Sequence, residues 1–383
     1  MSTKKVYFEN LNGLRFIAFL TVFVGHIFVF TKFKIESPLA ESIVGHFFLH
    51  ADLGVNFFFV LSGFLITFLV LNEKTETTTI SLKNFYMRRI LRIWPVYFLT
   101  IVFGFFIIPF LFNNVDHHNF PFEIDIPVNK IGWYAGFAVN FDMLYNGVGY
   151  VMLAVLWSVS VEEQFYLIWP VITRLTSGFV FIGILILLAA ASYYYRWVSY
   201  TDVLSIKFST FSVMNHLVIG SAVALGVLKS VKFTLFFTEM KRPFIICIYL
   251  LFGLCLPLRG SIYSFSGNTD RFLVSLEPFV FSLFFAFIIL EQNYARHSFF
   301  KISRFRLMSY LGTISYGLYC YHMISIFLVS LLFNLIFTGY VETSFWLFSC
   351  TAVLSFLLTV FFSRISYRYF ETRFLQLKSK YAS

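Results

Sequence analysis

The stretch NGLRFIAFLTVFVGHIFVF, Asn12–Phe30, is apolar almost throughout, yet it holds Arg15 near its start and His26 well inside. A helix needs about 20 apolar residues to cross the hydrocarbon core of a bilayer. Runs of that kind recur near 14–31, 53–72, 93–112, 151–172, 178–196, 210–228, 243–258, 272–290, 311–336 and 344–363. The composition fits them: 59% of residues are hydrophobic and only 13% charged, too few to coat a soluble surface. The pattern predicts an all-α, polytopic membrane helix bundle of about ten transmembrane helices. Lys4 and Lys5 precede the first run but no small-residue cleavage site follows it, so that run reads as a retained span. Between spans, the stretch IGWYAGFAVNFDML (131–144) reads as an interfacial or re-entrant helix. Cys247, Cys255, Cys320 and Cys350 all fall in apolar runs, without zinc spacing or paired spacing, and read as small buried hydrophobes.

Ten spans place both termini on one side. If that side is the cytoplasm, 22 of the 29 lysines and arginines lie on it, among them Lys4, Lys5, Lys74 and Arg174. The remainder, such as Lys32, Lys34 and Arg259, lie outside. Basic residues gather on cytoplasmic loops, so the expected placement is the plasma (inner) membrane with both termini inside. The same bias accounts for the net charge of +10 without nucleic acid.

Ionisable side chains inside a span are costly and face the bundle interior or a water-filled cavity, where they mark function. From Arg15 to His26 is close to three helical turns and roughly 16 Å of rise, so the two share a face. Glu162 stands roughly 18 Å from Arg174, His322 roughly 16 Å from Leu311, and Ser62 roughly 15 Å from Asn72. Four spans therefore offer polar groups at one depth. Ser158 is four residues before Glu162 and shares its face, and Ser315, Tyr319 and His322 share another. A histidine in a span also serves simply to hydrogen-bond its neighbour, and His322 fits either role. The same-face Arg15 favours function for His26, and two adjacent carboxylates, Glu162 and Glu163, are hard to explain as packing. Ser62-Gly63 fits close helix approach.

Arg88, Arg89 and Arg92 stand where a loop enters the third span, at helical spacings that aim them together. A guanidinium cluster suits phosphate, because its planar fork binds oxyanions in bidentate fashion. It also suits plain anchoring beside an interfacial Trp94. Taken as physical chemistry, the chain is a bundle with a basic entrance and a histidine–carboxylate interior. An enzyme using a phosphorylated donor fits that description, and so does a transporter relaying protons.

Five segments, NGLRFIAFLTVFVGH, GVNFFFVLSGFLIT, NFYMRRILRIWPVYFL, LWSVSVEEQFYLIWP and LGTISYGLYCYHM, resemble in order the successive signatures of the acyltransferase 3 family of integral membrane acyltransferases. The ending ISYRYFETRF is similar to that family's closing segment, with Arg373 where proline is often found. The resemblance implies ten core helices and transfer of an acyl group, most often acetyl, from cytoplasmic acyl-CoA to a hydroxyl of an extracytoplasmic or lipid-linked glycan. The family's arginine, ten intervening residues and histidine match Arg15 and His26, and its Arg-x-x-Arg pair matches Arg89 and Arg92. On the mechanism that follows, Arg88, Arg89 and Arg92, together with Arg15, would hold the CoA phosphates of acetyl-CoA. His26 would act as general base or as transient acyl carrier. Glu162 or Glu163 would orient its ring, and His322 and Tyr319 would hold the oxyanion. Asp52, His50, Ser62 and Ser158 would contact the acceptor, and no metal is expected. Relatives often carry a fused hydrolase-like domain, whereas residues 1–383 here read as a single membrane domain. A glycan exporter or flippase is the rival from another class, and a non-catalytic membrane scaffold is a third.

Overall fold

The computed structural model describes residues 8–31, 50–112, 128–262, 268–336 and 345–381, with positions 37 and 44. Lys4, Lys5, Lys32 and Lys34, part of the charge count above, lie outside the described residues. Among the described residues ten helices are long and apolar enough to cross a membrane, and no strand occurs. They are α1 Asn10–Phe30, α2 Ala51–Thr77, α3 Leu82–Val102, α4 Leu156–Leu175, α5 Gly178–Val198, α6 Thr210–Lys229, α7 Arg242–Ile262, α8 Asn268–Tyr294, α9 Ser315–Ile336 and α10 Phe345–Ile365. Each predicted run overlaps one of them, and the run at 93–112 continues past α3 through a π-helix, Phe103–Ile107, and a short helix, Ile108–Phe112.

Burial separates a centre from a rim. The apolar windows of α2 and α9 are 72% and 78% buried, whereas those of α5, α7 and the span containing α10 are 17%, 11% and 17% buried. The second group turns its apolar side chains outward, as helices facing lipid do. At the centre α2 crosses α6 closely. A Cβ at Gly63 would lie 2.0 Å from the carbonyl oxygen of Leu217, and one at Gly220 would lie 2.0 Å from that of Val60. Only glycine allows two backbones so near, the usual device of membrane helix pairs. Beside this crossing, Trp169 Nε1 donates to Thr67 Oγ1 at 2.7 Å, and Thr67 Oγ1 donates to Ser221 Oγ at 2.8 Å.

Three expectations change in detail. First, the third helix begins at Leu82 under an N-cap from Ser81, earlier than the predicted span at 93, so its arginines stand inside the helix rather than at its entrance. Second, the run at 311–336 breaks at Ile314, between the short helix Arg306–Thr313 and α9. There Thr313 Oγ1 donates to the carbonyl of Tyr310 at 2.6 Å, a local bond that competes with helix continuation. Third, 131–144 is two short helices, Ile131–Ala135 and Val139–Asn146, and Phe137 between them has φ 53°. Gln164 of α4 donates to the Phe137 carbonyl at 3.0 Å, and Tyr97 of α3 donates to the Tyr134 carbonyl at 2.7 Å, so the break is pinned against two spans.

Candidate active site

α1, α2, α3, α4 and α9 surround a narrow cavity of about 100 Å³. Its polar lining is Arg15 from α1, Ser62 from α2, Arg89 and Arg92 from α3, Ser158, Glu162 and Tyr166 from α4, and Ser315, Tyr316 and Tyr319 from α9. Helix periodicity explains the α4 set: 158, 162 and 166 are successive four-residue steps along one face.

The arginines of the cavity contrast with the buried Arg196 and Arg259, which sit in ion pairs. Ion pairs among the described residues use Arg88, Lys130, Arg196, Arg259 and Arg296. Arg15, Arg89 and Arg92 enter none of them. Arg15 donates to Asn12 Oδ1 at 3.0 Å. The Arg89 guanidinium lies over the rings of Phe85 and Tyr166, 5.8 and 5.9 Å from their centroids. Its Nε is buried without a hydrogen-bond partner. Arg88 leaves this group: it pairs with Glu73 at 3.0 Å and donates to the carbonyl of Tyr381 at 2.8 Å. Helical spacing aims all three α3 arginines to one side, but the carboxylate at the nearby end of α2 captures the first.

Deeper in the cavity, Ser62 Oγ donates to Glu162 Oε1 at 2.6 Å, and Tyr166 OH bridges Glu162 Oε2 at 3.0 Å and Ser62 Oγ at 2.9 Å. Ser158 Oγ and Tyr319 OH lie 2.7 Å apart. Tyr319 joins the cavity to the two histidines, since its carbonyl is 2.7 Å from His322 Nδ1. His322 Nε2 is in turn 2.8 Å from His26 Nδ1. A carbonyl can only accept, so His322 Nδ1 carries hydrogen. In a neutral ring its Nε2 then accepts, and His26 Nδ1–H is the donor. The chain of bonds leaves the lone pair of His26 on Nε2. His322 is fully buried, with Phe19 edge-on to its ring at 5.8 Å.

The expected residues thus sort into groups. Arg15, Arg89, Arg92, Ser62, Ser158, Glu162 and Tyr319 share the cavity, and His26 and His322 pair with each other behind Tyr319. Glu163 stands apart from the lining, accepting from Trp94 Nε1 at 3.0 Å. Asp52 and His50 belong to a second cluster. Arg259 Nη1 is 3.0 Å from Asp52 Oδ1 and 3.2 Å from His50 Nδ1, and Arg259 Nε donates to Glu277 Oε1 at 2.5 Å. Tyr166 was missed from the sequence, although its four-residue offset from Glu162 was there to be read. Arg259 and Glu277 carry no such signal. Among the described residues no group of three His, Cys, Asp or Glu could hold a metal ion.

Comparison with known proteins agrees with these motifs. One relative is "Putative O-acetyltransferase SACOL0978" of Staphylococcus aureus (strain COL), 26% identical over 97% of this chain and 58% of its own length. Another is "O-acetyltransferase OatA" of Staphylococcus aureus (strain NCTC 8325 / PS 47), 26% identical over 96% of this chain and 57% of its own length. The chain therefore spans a little over half the length of these curated relatives. No solved structure matches it. The sequence pattern of the acyltransferase 3 family, that of an acyltransferase domain, matches residues 8–364. The chain belongs to this family of membrane acyltransferases.

Proposed function

We propose that this chain transfers an acyl group, acetyl in the first instance, from acyl-CoA to a hydroxyl of a glycan at or beyond the far side of the membrane. The observation that carries this reading is the set Arg15, Arg89 and Arg92, three guanidinium groups around one cavity without an ion-pair partner among the described residues. Like charges gather in a partly desolvated site at a cost that a bound polyanion offsets, and CoA phosphates are such a polyanion. The basic bias of the sequence supports a cytoplasmic position for that end of the bundle, on the side where acyl-CoA is found. From the arginines the pantetheine arm would run along the cavity toward Ser62 and Ser158.

His26 is the proposed general base. Its Nε2 lone pair, fixed by the His322–Tyr319 chain of bonds, would take the proton of the acceptor hydroxyl as that oxygen attacks the acyl carbonyl. His322 has the orienting role for which Glu162 or Glu163 was expected. The hydroxyls of Ser158 and Tyr319 would receive the developing oxyanion. Acetyl-CoA binding to the purified chain, followed by acetyl transfer in proteoliposomes, tests the proposal. Binding that depends on Arg89 and Arg92, and transfer that depends on His26, are expected. A chain that leaves acetyl-CoA unbound and intact overturns it.

A further inference from the structure

Building on the acyl-CoA reading, we infer that Ser62 is a covalent acyl carrier, with Glu162 as its base and Tyr166 as the group that orients the base. Three observations carry this.

The first is the constellation itself. A serine hydroxyl donates to a carboxylate at 2.6 Å, and a third side chain holds the other oxygen of that carboxylate at 3.0 Å. That arrangement of nucleophile, base and orienting group is what activates an otherwise weak hydroxyl nucleophile.

The second is position. Ser62 and Glu162 line the same cavity as the unpaired arginines. His26 and His322 are not among the lining residues, and they connect to the cavity through Tyr319. Ser62 thus shares the cavity of the proposed donor site, and Tyr319 links that cavity to the proposed base.

The third removes the packing explanation for the Ser62-Gly63 pair. The close α2–α6 crossing is made by Gly63 against Leu217 and by Gly220 against Val60. Ser62, one residue and about 100° round the helix from Gly63, turns to Glu162 instead.

The steps balance. Ser62 Oγ attacks the thioester carbonyl, an O–C bond forms, and the C–S bond breaks. The Ser62 proton passes through Glu162 to the CoA sulfur, which leaves as the thiol. The acceptor oxygen then attacks the Ser62 ester, and its proton moves to His26 Nε2. Ser62 Oγ leaves and recovers that proton.

The test mixes the full-length chain in proteoliposomes with radiocarbon-acetyl-labelled acetyl-CoA, without acceptor. An acid quench, proteolysis and peptide mass spectrometry follow. The label is expected on the peptide carrying Ser62, to be released by hydroxylamine, and to accumulate further in His26→Ala. Ser62→Ala is expected to bind acetyl-CoA with unchanged affinity while transfer falls by about a thousandfold, within the range for loss of a nucleophile or its base. A wild-type chain that turns over acetyl-CoA with Ser62 unlabelled, or a Ser62→Ala chain within tenfold of the wild-type rate, overturns the inference and leaves the acyl-CoA reading standing. A chain that neither binds nor cleaves acetyl-CoA overturns both.

Discussion

At the Asp52 end of α2, Arg259 contacts Asp52, His50 and Glu277, and Arg196 lies 3.7 Å from the same Glu277. In the cavity bounded by α1, α3 and α4, Arg15, Arg89 and Arg92 enter no ion pair among the described residues. Both hold arginines inside the bundle, buried in the first and half-buried in the second, and α2 runs past both. Their wiring differs. In the first the partner charges are built into the fold, as a buried pair requires if it is not to lose more in desolvation than it gains. In the second no ion-pair partner stands among the described residues, and on the proposed reading the donor phosphates supply it from outside. Charge inside a membrane thus has two explanations here, and the presence of a partner separates them.

The largest effect should come from the catalytic end. His26→Ala is expected to lower acetyl transfer by about two to four powers of ten, the span for loss of a general base. Acetyl-CoA affinity should stay near wild type, because the arginines are untouched. A parallel loss of affinity would place His26 in donor binding instead. Next is the paired cluster. Arg259→Ala leaves the carboxyls of Glu277 and Asp52 without their main cation, and removing one member of a buried pair destabilises by about 3–5 kcal/mol. Thermal unfolding in detergent should show this as a clear drop, with the acetyl-CoA affinity of the surviving folded protein unchanged.

The unpaired cluster should answer in reverse. Arg89→Ala and Arg92→Ala are each expected to weaken acetyl-CoA binding by about tenfold to a hundredfold, the equivalent of one charge-assisted hydrogen bond. Neither should lower the unfolding temperature, since each separates like charges. Titration of acetyl-CoA into each variant, beside its melting curve, checks both halves. A destabilised Arg92→Ala with unchanged affinity would make this cluster structural as well.

Much of this was legible in the sequence, and what was hidden has a physical reason. The ten spans followed from apolar length, because lipid leaves the backbone few alternatives to helix. The shared face of Arg15 and His26 followed from periodicity, and the shared depth of Ser62, Glu162 and His322 followed from rise. Depth said that these groups were level with one another, but not which pairs touch. The His26–His322 contact joins residues 296 apart in the chain, and Ser62–Glu162 joins residues 100 apart. Such pairings depend on helix order and rotation, which periodicity within one span does not encode. Arg88 shows the same limit: its spacing matched Arg89 and Arg92, and only the position of Glu73 on another helix takes it away. Arg259 and Glu277 sit near the ends of apolar runs, where any charge looks like a loop anchor.

The smallest effect sharpens the comparison most, because it holds geometry fixed and changes only burial. Arg296 and Glu239 meet at 2.9 Å, close to the 3.0 Å of Arg88 and Glu73. The first pair has side chains 70% and 55% exposed, and the second 17% and 7%. Water and mobile ions screen the first pair, so Arg296→Ala should change stability by no more than about 0–1 kcal/mol. Arg88→Ala should cost more. Glu73 would keep its bond from the Ser81 backbone N–H, 2.8 Å away, but would lose its cation inside the fold. Melting curves of the two single variants give the comparison directly. Equal losses would mean that contact geometry, rather than desolvation, sets what a charge is worth in this bundle. The absence of ion-pair partners for Arg15, Arg89 and Arg92 among the described residues would then say much less about a bound anion.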